Sequence, residues 1–566
     1  MHTKKRLIRG EQNYQTFIEM NGYYVDKTLF VKEILDNEHK VMLITRPRRF
    51  GKSLNLSMLR FFFDINQKDT QKLFEPYKIW QTGDYYTRKQ GKYPVIEVSL
   101  KDASGQNFKD CLLYFQYIIA ELFREHTYLL KSEELDDVEK SEFNQIYQKK
   151  ANEIDYKTSL KKLSTYLEKH HHQKVIILVD EYDSPIHTGY RNGYYDEIID
   201  FMQHFLGGAF KGNNSLHKGV VTGILRIAKE SMFSEWNNPG VYTMRSYEFS
   251  DKFGFTESET KSILAHFNLE DQFELVKKWY DGYKIGDSEH LYNPWSISGY
   301  LGKHREGFKA HWVNTSSDEL IRERIVERTA EETRNDIEVL LSGKTIVKEI
   351  DENLVFADFE DPQKELLWTL LFFGGYLIPV EQEDDFFYQL KIPNYEIAFL
   401  FRRFVLDWLK TGVGISSSIL YKMVENLTHN RIDKFEKYLK QIMGDTFSYF
   451  DANKEAEKVW QAYVLGLLAM SSNNYIIKSN RESGAGRYDI LMLPREDKTM
   501  YGIVIEVKAM DKDATPQQIG AKLTEALGQI TKNKYYKELI AQNIPKRIEI
   551  AMVFAGKEIY VEAKNS

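Results

Sequence analysis

The 566-residue chain has a single cysteine, which excludes an internal disulfide framework and a cysteine-built zinc site and fits a reducing, cytoplasmic setting. It also lacks any run of 18 apolar residues, and residues 1–13 are polar and basic without the apolar core of a secretion signal. Neither secretion nor a membrane span is expected. Internal repeats and low-complexity tracts are absent, which excludes repeat architectures. Charge of one sign is not in large excess either. The net is −6, and residues 451–566 hold 17 Lys+Arg against 15 Asp+Glu. That balance permits nucleic-acid contact without demanding it. Three consecutive histidines, His170-His-His172, point in different directions on any regular element, so they read as a solvated loop rather than a metal site.

What remains is globular in composition, with 42% hydrophobic and 28% charged residues. A chain of 566 residues exceeds what one core supports, so several domains are expected. Residues 40–45 form a short apolar run, followed by Arg46-Pro-Arg-Arg-Phe-Gly-Lys-Ser53 and then by residues 54–63 with helical spacing. Strand, loop, helix is the reading. Runs at 93–100, 175–180 and 219–225 have strand length and β-branched content, separated by stretches able to hold helices, which predicts a parallel sheet covered on both faces.

A phosphate loop needs backbone N–H groups, a flexible glycine, a lysine for the β- and γ-phosphates and a hydroxyl for Mg²⁺. Gly51, Lys52 and Ser53 supply the last three, although Arg46 stands where a first glycine is usual. Alone, Gly-Lys-Ser also fits a surface turn. The run Val175-Ile-Ile-Leu-Val-Asp-Glu181 supports the functional reading, with Asp180 as the Mg²⁺-side acid and Glu181 as the candidate base.

A second signature lies near the other end, where Gly486-Arg-Tyr-Asp489 is followed by Ile505-Glu-Val-Lys508. Carboxylates on adjacent strands that converge on Mg²⁺, with a lysine to manage the attacking water, make a nuclease centre. Asp489 and Glu506 are the candidate metal-binding acids. On one strand Glu506 and Lys508 share a face while Val507 points to the core. Taken alone, such a pair also arises on any amphipathic strand. Here it emerges from Ile503-Val-Ile-Glu-Val507, apolar at every position but one. Around it a helix over 454–470, strands at 475–479, 488–493 and 501–508, a helix over 516–540 and a strand at 547–554 give the order αβββαβ. Earlier, residues 364–410 read as a helix, a β-hairpin and a second helix, a winged-helix-like pattern.

These segments, together with Tyr23-Tyr-Val-Asp-Lys-Thr28, Val179-Asp-Glu-Tyr-Asp-Ser-Pro185, Thr222-Gly-Ile-Leu-Arg-Ile-Ala-Lys-Glu-Ser231, Tyr292-Asn-Pro-Trp295 and Trp312-Val-Asn-Thr-Ser316, resemble bacterial AAA-ATPase-like proteins that carry a C-terminal PD-(D/E)xK nuclease domain. The resemblance covers nearly the whole chain. It implies an α/β multidomain protein: a P-loop parallel-sheet ATPase domain over 1–300, a helical, winged-helix-like region over 301–450, and a restriction-endonuclease-like domain over 451–566. In such proteins an arginine-rich loop replaces the first glycine, so Arg46, Pro47, Arg48, Arg49, Phe50, Gly51, Lys52 and Ser53 are expected to bind ATP with Asp180, and Arg226 to sense the γ-phosphate. The resemblance further implies catalytic roles for Glu457, on the helix before the strands, and Gln529, on the helix after them, beside Asp489, Glu506 and Lys508. The aromatic-His pair usual after the helical acid reads Trp460-Gln461 here, which leaves a helper histidine unsupported.

The expected protein is a cytoplasmic ATPase and Mg²⁺-dependent endo- or exodeoxyribonuclease with DNA as partner and ATP and Mg²⁺ as cofactors. Nucleotide state would control nuclease access or assembly of a homo-oligomer, and defence against foreign DNA follows by analogy alone. The competing reading is a nucleotide switch whose C-terminal domain binds nucleic acid or a protein without cutting.

Overall fold

A computed structural model of the protein describes residues 4–67, 69–226, 236, 238–312, 331–341, 343–351, 366–384, 386–401, 403–404, 416–446, 464, 467–468, 471, 474–483, 486–495, 497–556 and 558–565. The chain divides into two units, Met1–Val313 with Val347–Glu396, and Asn314–Ile346 with Ile397–Ser566. Among the described residues no helix is long and apolar enough to cross a membrane.

The first unit carries the expected parallel sheet. Its strands are β1 (Val41–Thr45), β2 (Val95–Ser99), β3 (Val175–Asp180), β4 (Leu216–Gly223) and β5 (Gly240–Tyr242), ordered β2-β3-β4-β1-β5. Parallel pairing needs long crossovers, and helices supply them. Helix α1 (Lys52–Phe63) follows β1, α2 (Phe108–Glu125) and α3 (Ser159–His171) lie between β2 and β3, and α4 (Tyr195–Phe210) precedes β4. Both β1 and β3 are buried at every residue. Strand β4 lies between them, pairing Val221 with Leu43 of β1 and Val220 with Leu178 of β3. All three strands run the same way, so their C-terminal ends open on one edge of the sheet. Strand β5 is new relative to the sequence reading, because three residues are too few to display a period of two.

The three histidines are not a loop. Leu160, Leu163 and Leu167 are buried at helical spacing and carry α3 on through His171, after which His172 ends it at φ 53°. His170 Nδ1 lies 2.8 Å from Ser132 Oγ, and His171 Nε2 lies 2.9 Å from the Tyr128 hydroxyl.

Beyond the sheet come two short helices at 257–266 and 273–280, a ribbon of β6 (Tyr283–Ile285) with β7 (Ser288–Leu291), and α5 (Pro294–Lys303). They share a core that includes Leu264, Val276, Tyr280, Tyr292 and Ile297. Asn293 starts α5, its Oδ1 accepting from the Trp295 amide at 2.9 Å, with Pro294 at the first helical position where no N–H is needed. Strand β8 (Ile346–Glu349), helix α6 (Leu366–Phe373) and strands β9 (Ile378–Gln382) and β10 (Phe387–Lys391) follow. The three strands form a sheet ordered β8-β10-β9, so the expected helix and hairpin gain a third strand.

In the second unit α7 (Ser417–Thr428) and α8 (Ile432–Thr446) precede β11 (Tyr475–Ser483), β12 (Gly486–Pro494), β13 (Gly502–Met510), α9 (Pro516–Asn533), β14 (Arg547–Ala555) and β15 (Glu558–Asn565). The sheet runs β11-β12-β13-β14-β15, with β13 and β14 parallel and the other pairs antiparallel. Leu420, Met423 and Leu439 from α7 and α8 cover one face together with Ile503, Ile505 and Val507. Helix α9 covers the other, placing Ile530 against Val504 and Leu523 against Val553. Strand β15 was not anticipated, since Glu558, Glu562 and Lys564 of this edge strand dilute its apolar pattern.

Candidate functional site

The first site sits at the C-terminal edge of the parallel sheet. Gly51 takes φ +89°, a left-handed turn that only glycine adopts without strain, and α1 begins at the next residue. The first amides of a helix have no partner within it and attract anions. Lys52 is buried, and its ammonium donates to the carbonyls of Arg46 and Pro47, both at 3.0 Å. Burial lowers its pKa, against the pull of Asp180, Asp183 and Glu181. Ser53 Oγ donates to Asp180 Oδ2 at 2.5 Å, so the start of α1 and the end of β3 are joined directly.

Asp180 is held from its other side by Thr222 of β4, whose hydroxyl donates to Oδ1 at 2.6 Å. The Glu181 amide donates to the same oxygen at 3.0 Å. Glu181 adopts φ 52°, uncommon for a residue with a side chain and found where a site constrains the backbone. Burial raises its carboxyl pKa, and the neighbouring Asp180 adds to the rise. A hydroxyl and a carboxylate in contact are hard oxygen donors suited to Mg²⁺, and a buried ammonium parked on its own loop suits a polyphosphate. The residues present therefore fit Mg²⁺ and a nucleoside triphosphate.

Two loop side chains go elsewhere than expected. Arg46 is fully buried, and Nη1 donates to the carbonyls of Thr45, Tyr242 and Thr243 at 2.8, 2.9 and 2.9 Å. Its Nη2 donates to Glu248 and Phe249 carbonyls at 3.3 and 3.2 Å. The guanidinium thus ties β1 to the chain leaving β5, and it is turned into the fold rather than towards a ligand. Phe50 is likewise buried, its ring edge-on to Tyr283 at 5.0 Å. Both residues shape the loop through packing and leave their backbone to it. Pro47 is buried, while Arg48 is half-buried and Arg49 exposed. Arg226 is half-buried just beyond β4, three residues past Gly223.

Five residues without an assigned role in the sequence reading, Thr222, Asp183, Gly223, Asn293 and Trp295, complete this site. Thr222 orients Asp180, as above. Asp183 Oδ2 accepts from the Ile224 and Leu225 amides at 2.8 and 3.0 Å, fixing the turn that leads to Arg226. A Cβ on Gly223 would come within 2.7 Å of the Tyr182 ring, so glycine is required for this approach. Asn293 Nδ2 donates to the Arg48 carbonyl at 3.1 Å, and the Arg49 guanidinium carbon lies 4.2 Å from the Trp295 ring centre. The available signal was their presence in the motifs quoted above, but the spacing carried no partner.

The second site lies on the α9 face of the mixed sheet. Ile490 of β12 pairs with Ile505 of β13, so Asp489 and Glu506 are one step further along and side by side. Glu506 and Lys508 alternate with Val507 and so take the face that Val504 shares with α9. Glu506 is 1% exposed, and Lys508 Nζ donates to its Oε1 at 2.9 Å. Asp489 Oδ2 accepts from the Val507 amide at 2.7 Å, which orients the carboxylate across the strand junction. Two carboxylates beside an ammonium fit a divalent cation of the Mg²⁺ type, which keeps part of its shell for water and substrate oxygens. Gln529 is not joined to this group. Its amide donates to the Tyr535 hydroxyl at 3.3 Å, where Asn533 Nδ2 also donates at 2.8 Å. Glu457 lies outside the described residues.

Comparison with known proteins finds matches over the segments that carry both sites. Residues 9–233 match a family of predicted AAA-ATPases, and residues 455–564 match the PD-(D/E)XK nuclease superfamily. Over 330 residues the chain is 26% identical to an uncharacterized protein encoded in the vnfD 5' region of Azotobacter chroococcum mcd 1. That alignment covers 58% of this chain and 57% of the relative. The chain therefore joins an AAA-ATPase-like segment, residues 9–233, to a segment of the PD-(D/E)XK nuclease superfamily, residues 455–564.

Proposed function

We propose that this bacterial-type protein binds and hydrolyses ATP at the Lys52–Asp180 site and cleaves DNA at the Asp489–Glu506–Lys508 site, with nucleotide state governing cleavage. The observation that carries the reading is that phosphate-directed side chains are gathered at two places, where the Ser53 hydroxyl meets the Asp180 carboxylate beside Lys52 and where the Lys508 ammonium meets the Glu506 carboxylate on the strand next to Asp489.

At the first site Lys52 exchanges its two carbonyl partners for β- and γ-phosphate oxygens. Ser53 and Asp180 would hold Mg²⁺, with Thr222 keeping Asp180 in place. Glu181, its proton affinity raised by burial, orients and deprotonates the attacking water. Asp183 sets the turn from which Arg226 would reach the γ-phosphate. At the second site Asp489 and Glu506 would hold Mg²⁺, and Lys508 positions the attacking water and balances charge on the scissile phosphate. When bound, the cation neutralises phosphate charge at each site. Defence against foreign DNA in the cytoplasm is the biological role that this pairing suits.

The test is to incubate the full chain with supercoiled and linear DNA, Mg²⁺ and ATP, beside Lys52→Ala and Lys508→Ala variants. Phosphate release and DNA integrity are followed together. Cleavage lost in Lys508→Ala and altered in Lys52→Ala supports a nucleotide-coupled nuclease. Phosphate release with DNA intact under every condition replaces it with a non-cutting nucleotide switch.

A further inference from the structure

Two arginines converge on one indole beside the phosphate loop. The guanidinium carbons of Arg9 and Arg49 lie 4.1 and 4.2 Å from the ring centre of Trp295. Such stacking holds a guanidinium in place through its face while leaving its edge N–H groups to other partners. Both arginines are exposed, and among the described residues neither forms an ion pair. The carboxylate that acts on Arg9 is Glu396, which is fully buried and already accepts from Ser296 Oγ at 2.6 Å and from the His311 and Trp312 amides at 2.6 and 2.8 Å. Burial and the nearby Arg49 both lower the pKa of Arg9, as expected where like charges gather. Lys303 and Lys309 join Arg9 in acting on His311, so the positive field continues along this face.

The platform is rigid. Trp295 Nε1 donates to the His311 carbonyl at 3.0 Å. The segment that carries Arg9 is fastened three residues earlier, where the Arg6 amide donates to the Asn21 carbonyl at 2.8 Å and the Arg6 carbonyl accepts from the Tyr23 amide at 2.8 Å. Arg49 adopts φ 65°, which separates its course from that of Arg48. Arg48 acts on Lys52 and His187, on the nucleotide side of the loop, whereas Arg49 turns to Trp295. Adjacent arginines thus serve opposite sides of the loop. In a chain of net charge −6, a fixed pair of exposed guanidiniums without an ion pair among the described residues suits a polyanion.

We propose that Arg9 and Arg49, stacked on Trp295 beside the phosphate loop, form a docking point for the phosphodiester backbone of a nucleic-acid strand. This rests on the reading of the chain as a nuclease. The test uses a fluorescently labelled single-stranded oligonucleotide and the full chain in EDTA, so that binding is measured without cleavage. Anisotropy titrations across a salt series compare wild type with Arg9→Gln and Arg9→Lys. The expected result is a several-fold loss of affinity in Arg9→Gln with a salt slope lower by about 1, largely restored in Arg9→Lys. ATP binding without DNA should be unchanged in Arg9→Gln, which shows that the fold is intact. If wild type and Arg9→Gln bind with equal affinity and slope, the stack is not the docking point, although the nuclease reading survives. If wild type binds no nucleic acid either in EDTA or with Ca²⁺ in place of Mg²⁺, the nuclease reading fails and the docking point with it.

Discussion

Replacing Arg46 with alanine tests whether this residue builds the phosphate loop or touches the nucleotide. In the structure its guanidinium serves five carbonyls, from Thr45, Tyr242, Thr243, Glu248 and Phe249, at 2.8 to 3.3 Å. Hydrogen bonds to a charged donor contribute about 1.5–3 kcal/mol each, but five that share one group are far from additive. A buried carbonyl left without its donor costs about 1–3 kcal/mol, and the five here are not additive, so about 4 kcal/mol in all is expected. The loss should concentrate at β5, which has three residues and, among the described residues, pairs with β1 alone. At tenfold per 1.4 kcal/mol, amide exchange over residues 240–249 should accelerate by about 10³-fold without nucleotide. Hydrogen exchange followed by mass spectrometry reads this directly. Lys52→Ala is the control, because its two carbonyl bonds stay within the loop, and exchange at β5 should change by less than about threefold. If Arg46→Ala leaves exchange at 240–249 unchanged while ATP affinity collapses, the guanidinium acts on the nucleotide and the structural account of it is wrong.

Thr222→Val removes the hydroxyl that donates to Asp180 Oδ1 and should lower ATP hydrolysis about tenfold with a smaller change in KM, as measured by steady-state phosphate release. Glu506→Gln should reduce DNA cleavage by about 10³-fold while ATP hydrolysis continues, and equal cleavage by this variant would remove Glu506 from the site. Glu396 is buried, and its carboxyl is pushed from 4.5 up to about 7. Because the folded pKa is the higher one, stability due to the protonated acid is present below pH 4.5 and is lost as pH rises through about 7. Urea unfolding of wild type and Glu396→Gln should therefore diverge by about 3 kcal/mol across that window, with the glutamine variant gaining as pH rises. Parallel curves would show that Glu396 ionises normally.

What the sequence determined by itself was local. A period of two on an otherwise apolar strand was enough to put Glu506 and Lys508 on one face and Val507 on the other. Gly51, Lys52 and Ser53 between an apolar run and a helical one marked a loop at a helix start, because backbone conformation there depends on immediate neighbours. Acids at the end of a buried strand marked Asp180 and Glu181 in the same way. The partners of these residues were decided by tertiary structure. Spacing along the chain does not reveal that β4 inserts between β1 and β3 and brings Thr222 to Asp180, or that Gln529 turns to Tyr535. Arg46 shows the limit most clearly. Its position suggested a ligand contact, yet it is buried against carbonyls nearly 200 residues away, supplied by the chain that leaves a three-residue strand. Local periodicity records which way a side chain points, whereas what it meets depends on strand pairings that only the packed fold selects.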